Sequence, residues 1–217
     1  MADTPTTPVI SEAEPRWPAV IAVLAVAGLY LALPSSLAVG PRWLQPCIIV
    51  VLLVPTIITH HARQDRWNRI LGHAIALALT VFMIWSLGLL MAALPAHKEA
   101  PTTLLRSGGA MWVTNILVFA LWYWRLDAGG PHSRAQREHH TDGAFLFPQM
   151  TMKRDPEARG WSPRFIDYLF LAFNTSTALS PTDVPILSRW AKVMVMIQAL
   201  ISLSVIAILV ARGVNML

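Results

Sequence analysis

The stretch Phe165-Ile-Asp-Tyr-Leu-Phe-Leu-Ala-Phe-Asn-Thr-Ser-Thr-Ala-Leu-Ser-Pro-Thr-Asp183-Val-Pro, followed by an apolar run from Ala191 to Ala211, decides the fold. A half-length apolar segment ends in hydroxyl side chains and turns at a proline and an aspartate. It then meets a segment long enough to cross a bilayer, which takes ~20 residues. A hairpin of this kind has the outline of a pore loop. Non-helical backbone at membrane depth is tolerated only where protein buries it or water wets it, so the outline points to a lined cavity.

The rest of the chain supports a membrane setting. Of its 217 residues, 55% are hydrophobic and 13% charged, and the mean hydropathy is +0.51. Such values belong to integral membrane proteins, and the length leaves no room for a separate soluble enzyme domain. The formal charge of +5 does not indicate nucleic acid, because the basic residues fall between apolar segments. There they set membrane orientation and meet the headgroups of the lipid bilayer. Cys47, the single cysteine, lies in an apolar segment; it excludes an intrachain disulfide or a Cys-based zinc site and is expected simply to pack.

Four regions follow from the pattern. Residues 1–16 form an acidic, proline- and threonine-containing tail, expected to be disordered, with no basic start of the kind a cleavable signal requires. Residues 17–125 form a four-helix transmembrane region, with segments at Pro18 to Val39, Leu44 to Thr59, Ile70 to Leu94 and Ala110 to Trp124, the second and fourth short. Gly40-Pro41-Arg42 reads as a tight turn that makes the first two segments an antiparallel hairpin. Residues 126–164 form a charged, membrane-adjacent loop, and residues 165–217 the channel-like hairpin. Trp17, Trp43, Trp67, Trp122, Trp124, Trp161 and Trp190 fall at or near segment ends, where amphipathic rings sit at the headgroup level. With the amino terminus cytoplasmic, eleven Lys and Arg flank the inner side and three the outer, before the last hairpin is counted. That bias predicts a cytoplasmic amino terminus.

Several clusters are candidates for chemistry. His132, His139 and His140, with Asp142, carry metal-ligating groups, but a loop fixes no geometry and the reading is solvated surface. His60, His61 and Asp65, with His73 just inside the third segment, could bridge two helices; adjacent histidines, however, splay by about 100° around a helix. His73 is expected to hydrogen-bond to a neighbouring helix. No metal site and no cofactor are therefore assigned. The Phe145-Leu-Phe-Pro148 patch is read either as docked at the membrane interface or as disordered. Segment interiors one to four hold no Asp, Glu, Lys or Arg, which argues against ion-coupled pumps and voltage sensors. No catalytic triad, phosphate-binding glycine loop or His-Glu-x-x-His pair is present, so an enzyme is not expected.

In the last hairpin, Thr175, Thr177, Ser180, Thr182 and Asp183 concentrate side-chain oxygens, and Gln198 and Ser202 share a face of the final helix. These seven are the pore-lining candidates. The alternative is that the hydroxyls bond back to their own helix or join helices together.

Asp167-Tyr-Leu-Phe-Leu-Ala-Phe through Thr182-Asp183-Val-Pro-Ile-Leu-Ser-Arg189 resembles a family of small bacterial integral membrane proteins of no assigned activity. Members have four helices, a loop and a channel-like hairpin. The resemblance covers residues 145–217, including Leu146-Phe-Pro148, and implies a bacterial inner membrane. More distantly, the same stretch resembles the pore module of potassium channels. Thr177-Ala-Leu-Ser-Pro-Thr-Asp183 lies where those channels carry Thr-Thr-Val-Gly-Tyr-Gly-Asp, and only the first threonine and the aspartate agree. A carbonyl filter needs glycine, and none occurs from Trp161 to Arg212, which excludes potassium selectivity by that mechanism.

The expected protein is therefore all-α: a polytopic membrane helical bundle of five transmembrane helices plus one re-entrant or short sixth segment. It would be homo-oligomeric if the hairpin lines a path. The leading functional expectation is a channel-like protein with a degenerate, non-potassium-selective pore loop. The alternatives are a non-conducting membrane scaffold or accessory protein and, further behind, a metal-dependent membrane enzyme using His60, His61 and His73.

Overall fold

Helix boundaries follow local chemistry closely. The computed structural model describes residues 14–62, 64–96, 100–135, 143–151, 161–180 and 183–214. Among these lie seven α-helices: α1 (Trp17–Ala32), α2 (Leu44–His61), α3 (Asp65–Ala96), α4 (Pro101–Leu126), α5 (Pro131–Ala135), α6 (Phe165–Ala178) and α7 (Arg189–Val214). Helix α1 stops because Leu33, which precedes Pro34, is pushed to extended backbone with ψ 144°. Gly40 then adopts φ +73°, a value open to a residue without Cβ, and the Leu44 amide closes the turn on Pro41 O at 2.9 Å. Proline starts α4, where its missing N–H costs nothing.

Four helices, α2, α3, α4 and α7, are long and apolar enough to cross a membrane, and the protein is a membrane-embedded helical bundle. Helix α1 is apolar but shorter, at 16 residues. Helices α1, α2, α3 and α4 pack in a closed ring, each against the next and α4 back against α1. Helix α4 also packs against α6 and α7, and so it is the hub. Its consecutive Val118, Phe119, Ala120 and Leu121 are all buried, whereas α2 and α7 turn Val51, Ile58, Met196 and Leu200 outward. An unbroken apolar run in α4 and an apolar outer face elsewhere are what a lipid solvent selects.

The hydrogen bonds fix the course of the chain. Arg16 Nη1 donates to Asn68 Oδ1 at 2.8 Å, His132 Nε2 lies 3.0 Å from Asp65 Oδ2, and the Trp124 indole donates to Glu14. The starts of α1 and α3 and the ends of α2 and α4 therefore meet at one end of the bundle, here the Asp127 end. Both α6 and α7 begin at the same end, with Phe165 against Trp124 and Trp190 against Phe145. They run parallel to each other and antiparallel to α4: Tyr168 and then Ser176 meet Asp127 and then Asn115, while Gln198 and Ser202 meet Tyr123 and Asn115. The 14 residues of α6 reach about 21 Å into the bundle. The chain then comes back to the Asp127 end, where Leu146 N–H donates to Pro185 O at 2.9 Å and Leu187 N–H to Ala144 O at 2.8 Å.

A buried polar clamp holds that end. Asp127 is fully buried; its Oδ1 accepts the Ala144 amide at 2.5 Å and its Oδ2 the Tyr168 hydroxyl at 2.6 Å. Arg134 donates to the carbonyls of Trp124 and Asp127 at 2.8 and 2.9 Å and pairs with Glu14 at 3.0 Å. Its guanidinium thus caps the carbonyl end of α4, where a positive charge is favoured. One connected group of side chains ties together the segment before α1, the end of α4, the long loop and α6.

Several expectations require correction. The first segment ends at Ala32 rather than Val39, the third starts at Asp65 rather than Ile70, and the fourth starts at Pro101 rather than Ala110, so α4 is a full 26 residues. Hydropathy alone missed the polar first turns of α3 and α4. Glu14 belongs to the clamp, so the end of the acidic tail is folded; residues 1–13 lie outside the described residues. The loop patch docks into the protein rather than at the membrane interface: Phe145 and Phe147 are 0% and 3% exposed, stacked among Tyr123, Tyr168, Trp161 and Trp190. Trp124 is buried in protein at the end of α4, and Cys47 is exposed on α2 rather than packed. His73 bonds to its own helix, at Arg69 O, rather than to a neighbour.

Removing one partner of a buried, hydrogen-bonded charge leaves the others uncompensated, at a cost of about 3–5 kcal/mol. Asp127→Ala is accordingly expected to lower the unfolding midpoint of the detergent-purified protein far more than Asp183→Ala, whose carboxylate is exposed. Equal midpoints for the two variants would remove the clamp from the account.

Candidate functional site

Three of the seven predicted lining residues, Thr175, Gln198 and Ser202, are buried in protein. Thr175, Ser176, Gln198 and Ser202 are all 0% exposed, as is Asn115 of α4. Gln198 is the centre of the group. Its Oε1 accepts the Tyr123 hydroxyl at 2.6 Å, and its Nε2 donates to Ala172 O at 2.7 Å and to Ser176 Oγ at 3.0 Å. Asn115 Nδ2 donates to Ser202 Oγ at 2.8 Å and reaches Gln198 O at 3.3 Å and Ser176 Oγ at 3.5 Å. Asn115 Oδ1 is buried without a hydrogen-bond partner. The network joins α4, α6 and α7 at the depth where α6 is about to end. Its members are amides and hydroxyls, which are glue between helices in an apolar solvent and hold no charge at neutral pH.

Thr175 Oγ1 is spent on Leu171 O at 2.9 Å, and Thr177 Oγ1 on Phe173 O at 2.9 Å, both within α6. Such back-bonding satisfies a hydroxyl in an apolar setting. Thr177, Ser180 and Asp183 are exposed at the tip and on the returning segment, and Thr182 lies outside the described residues. Helix α6 ends at Leu179, whose φ of 55° and ψ of 22° are left-handed. A side chain disfavours that conformation by roughly 1–2 kcal/mol. Glycine or asparagine is the usual residue there, so sequence gave no stop signal beyond Pro181.

Sequence reasoning missed Asn115 and Tyr123, while Ser176 belongs to the oxygen-rich stretch of the hairpin. Asn115 carried a usable signal, being an amide in the middle of an apolar run, where a polar side chain needs a partner on another helix. Tyr123 resembled an interfacial aromatic and gave none.

The histidine clusters do not converge. The rings of His60 and His61 lie edge to face at 5.5 Å, and His61 Nδ1 bonds to Ile57 O of its own helix at 2.9 Å. His132 is next to Asp65, while His139, His140 and Asp142 lie outside the described residues. Among the described residues no group of three His, Cys, Asp or Glu side chains could hold a metal.

If Gln198 joins the three helices, Gln198→Ala strands the Tyr123 hydroxyl, an orphaned buried group costing about 1–3 kcal/mol, and removes the second donor to the Ala172 carbonyl. The double variant with Tyr123→Phe should then lose less stability than the sum of the single changes, read by denaturant titration in detergent. Strict additivity would show that the two side chains act independently. Comparison of the chain with protein-family models, with curated proteins and with solved structures finds no match.

Proposed function

We propose that this protein is a non-conducting membrane scaffold or accessory protein, with five crossing helices and a re-entrant hairpin formed by α6 and its return. The observation that carries this reading is the network around Gln198: Asn115, Tyr123, Ser176, Gln198 and Ser202 are fully buried and bonded to one another across α4, α6 and α7. The geometry of the return is a second support. Among its described residues only Leu179 has a positive φ, so nothing resembles the repeated left-handed backbone that aligns carbonyls in a selectivity filter. Helix α1 is taken as the fifth crossing because it is apolar, packs in the ring with α2, α3 and α4 from Arg16 beside Asn68 to Tyr30 beside Leu79 at mid-length of α3, and continues through buried Leu37 and Ala38. The hairpin is re-entrant because a helix of about 21 Å falls short of a hydrocarbon core of about 30 Å and its continuation pairs beside its start.

Charge favours a cytoplasmic Asp127 end. With Arg189 and Lys192 at the start of α7, thirteen of the 17 Lys and Arg flank that end by sequence. The hairpin then dips from the cytoplasmic face, opposite to the potassium-channel arrangement that the sequence distantly resembles. A reporter domain inserted between Arg134 and Ala144 is expected to read cytoplasmic, and a periplasmic reading would invert the assignment.

One observation favours a second reading. Asp183, Thr177 and Ser180 are exposed on the hairpin, and a carboxylate at membrane depth is stable only against water or a partner. In an oligomer these groups could face a shared vestibule, which is the channel reading. Proteoliposomes decide between the two: no cation flux above protein-free vesicles is expected, whereas flux abolished by Asp183→Ala would establish conduction through the hairpin.

A further inference from the structure

The closed ring of α1, α2, α3 and α4 is not filled at the Asp127 end. A cavity of about 390 Å³ opens there, within the ~300–1,000 Å³ typical of small-molecule sites. Its deeper walls are Val23, Leu53, Ile75 and Leu121, one apolar side chain from each helix of the ring. Farther in, the Tyr30 hydroxyl bridges α1 to Leu79 O of α3 at 3.1 Å and closes the ring. The mouth has the opposite chemistry, lined by Arg16, His60, Asn68 and Arg125.

The two arginines differ in how far they are satisfied. Arg16 donates to Asn68 Oδ1, and burial lowers its pKa from the ordinary value, with Glu14 and Asp65 opposing that shift and Arg134 adding to it. Arg125 has no carboxylate partner among the described residues. Its guanidinium stacks 5.3 Å from the Trp124 ring and lies so close over Gly72 that a Cβ there would sit 1.7 Å from Nη1. Gly72 thus makes the space that lets Arg125 lie across to α3. The nearby carboxylates are engaged elsewhere, Glu14 with Arg134 and Asp65 beside His132. Two guanidinium groups at the rim of an apolar pit, with the adjacent acids spoken for, complement a phosphate attached to an acyl chain.

The direction of opening identifies the source. Trp17 and Ile57 line the cavity and are also 65% and 37% exposed, on α1 and α2 respectively. The gap therefore faces outward between these helices, at the level of an exposed tryptophan, where headgroups lie. We propose that the cavity binds an anionic phospholipid of the adjoining leaflet, its phosphate held between Arg16 and Arg125 and the start of one acyl chain among Val23, Leu53, Ile75 and Leu121. The site is separate from the hairpin and does not depend on whether the hairpin conducts.

The test uses the full chain purified in mild detergent, with phosphatidylglycerol, phosphatidylcholine and inorganic phosphate as probes. Binding is read by native mass spectrometry and by the shift in unfolding midpoint. Phosphatidylglycerol is expected to be retained as a single adduct and to raise the midpoint at concentrations at least about tenfold below phosphatidylcholine, which has the same phosphate but brings a choline cation toward Arg16 and Arg125. Arg125→Gln should weaken the lipid at least about tenfold. Val20→Phe, which fills the cavity and leaves its charge alone, should also reduce retention. Equal affinity for the two lipids would overturn the selection of a net anionic headgroup, and inorganic phosphate acting as well as the lipid would overturn the acyl site. Unchanged binding in Arg125→Gln would overturn the location; should that variant fail to fold, Arg16→Gln carries the same expectation and the same power to refute.

Discussion

A helix that stops partway through apolar surroundings must find partners inside the protein for its polar end, because lipid offers none. Helix α6 stops after 14 residues, and much of the remaining architecture meets that requirement. At its start, the Asp167 carboxylate accepts the Arg164 amide at 2.7 Å, and Tyr168 anchors to Asp127. One turn before its end, Gln198 of α7 adds a second donor to the Ala172 carbonyl and binds the Ser176 hydroxyl, while Asn115 approaches from α4, so the side chains of that turn are held inside protein. Helix α4 is the most buried of the four long helices because it must serve the hairpin as well as the ring.

The same requirement explains why the long loop folds back into the bundle. The returning segment brings unpaired backbone to the Asp127 end, and Ala144 to Leu146 provide the partners: the isolated bridge between Phe145 and Ile186 is a two-residue sheet with no room to grow. Asp127 holds this loop in place by accepting the Ala144 amide, so a carboxylate at the end of α4 controls where the hairpin closes. Buried charge in such a position adds little net stability over a well-packed apolar group of the same shape. What it fixes is register, since an Asp–Arg–Glu–Tyr group satisfied in one arrangement is badly unsatisfied in any other.

The membrane class, the approximate position of every crossing helix and the half-length hairpin were legible in the sequence because they depend on hydropathy and length. The boundaries of α3 and α4 were less so, because polar residues such as Asp65 and Arg106 continue a helix once neighbours or headgroups cover it. The clamp was not legible. Glu14, Asp127, Arg134 and Tyr168 span more than half the chain, and nothing local distinguishes their charges from those of a solvated loop. Of the lining candidates, Gln198 and Ser202 were correctly placed on one face by their spacing. What that face meets depends on Asn115, Ser176 and Tyr123, on two other helices.

Hydroxyls near a proline and an aspartate signal polar backbone at depth, and the sequence pattern is the same whether the polar groups face water or one another. Composition therefore cannot separate a pore loop from a bonded plug; burial together with hydrogen bonding distinguishes them. The Gln198 amide has both hydrogens committed to protein acceptors, and Thr175 and Thr177 have theirs committed to their own helix. A permeating cation would need oxygens free to replace its hydration shell. Ser176 and Ser202 keep lone pairs, but those point into a fully buried junction crossed by the Asn115 amide. Opening a path there would require breaking the contacts that seat α6 between α4 and α7. Among the described residues the oxygens still available include Asn115 Oδ1, enclosed in that junction, and those of Thr177, Ser180 and Asp183, which are exposed, so a conducting surface built from the exposed ones would have to be completed by another molecule.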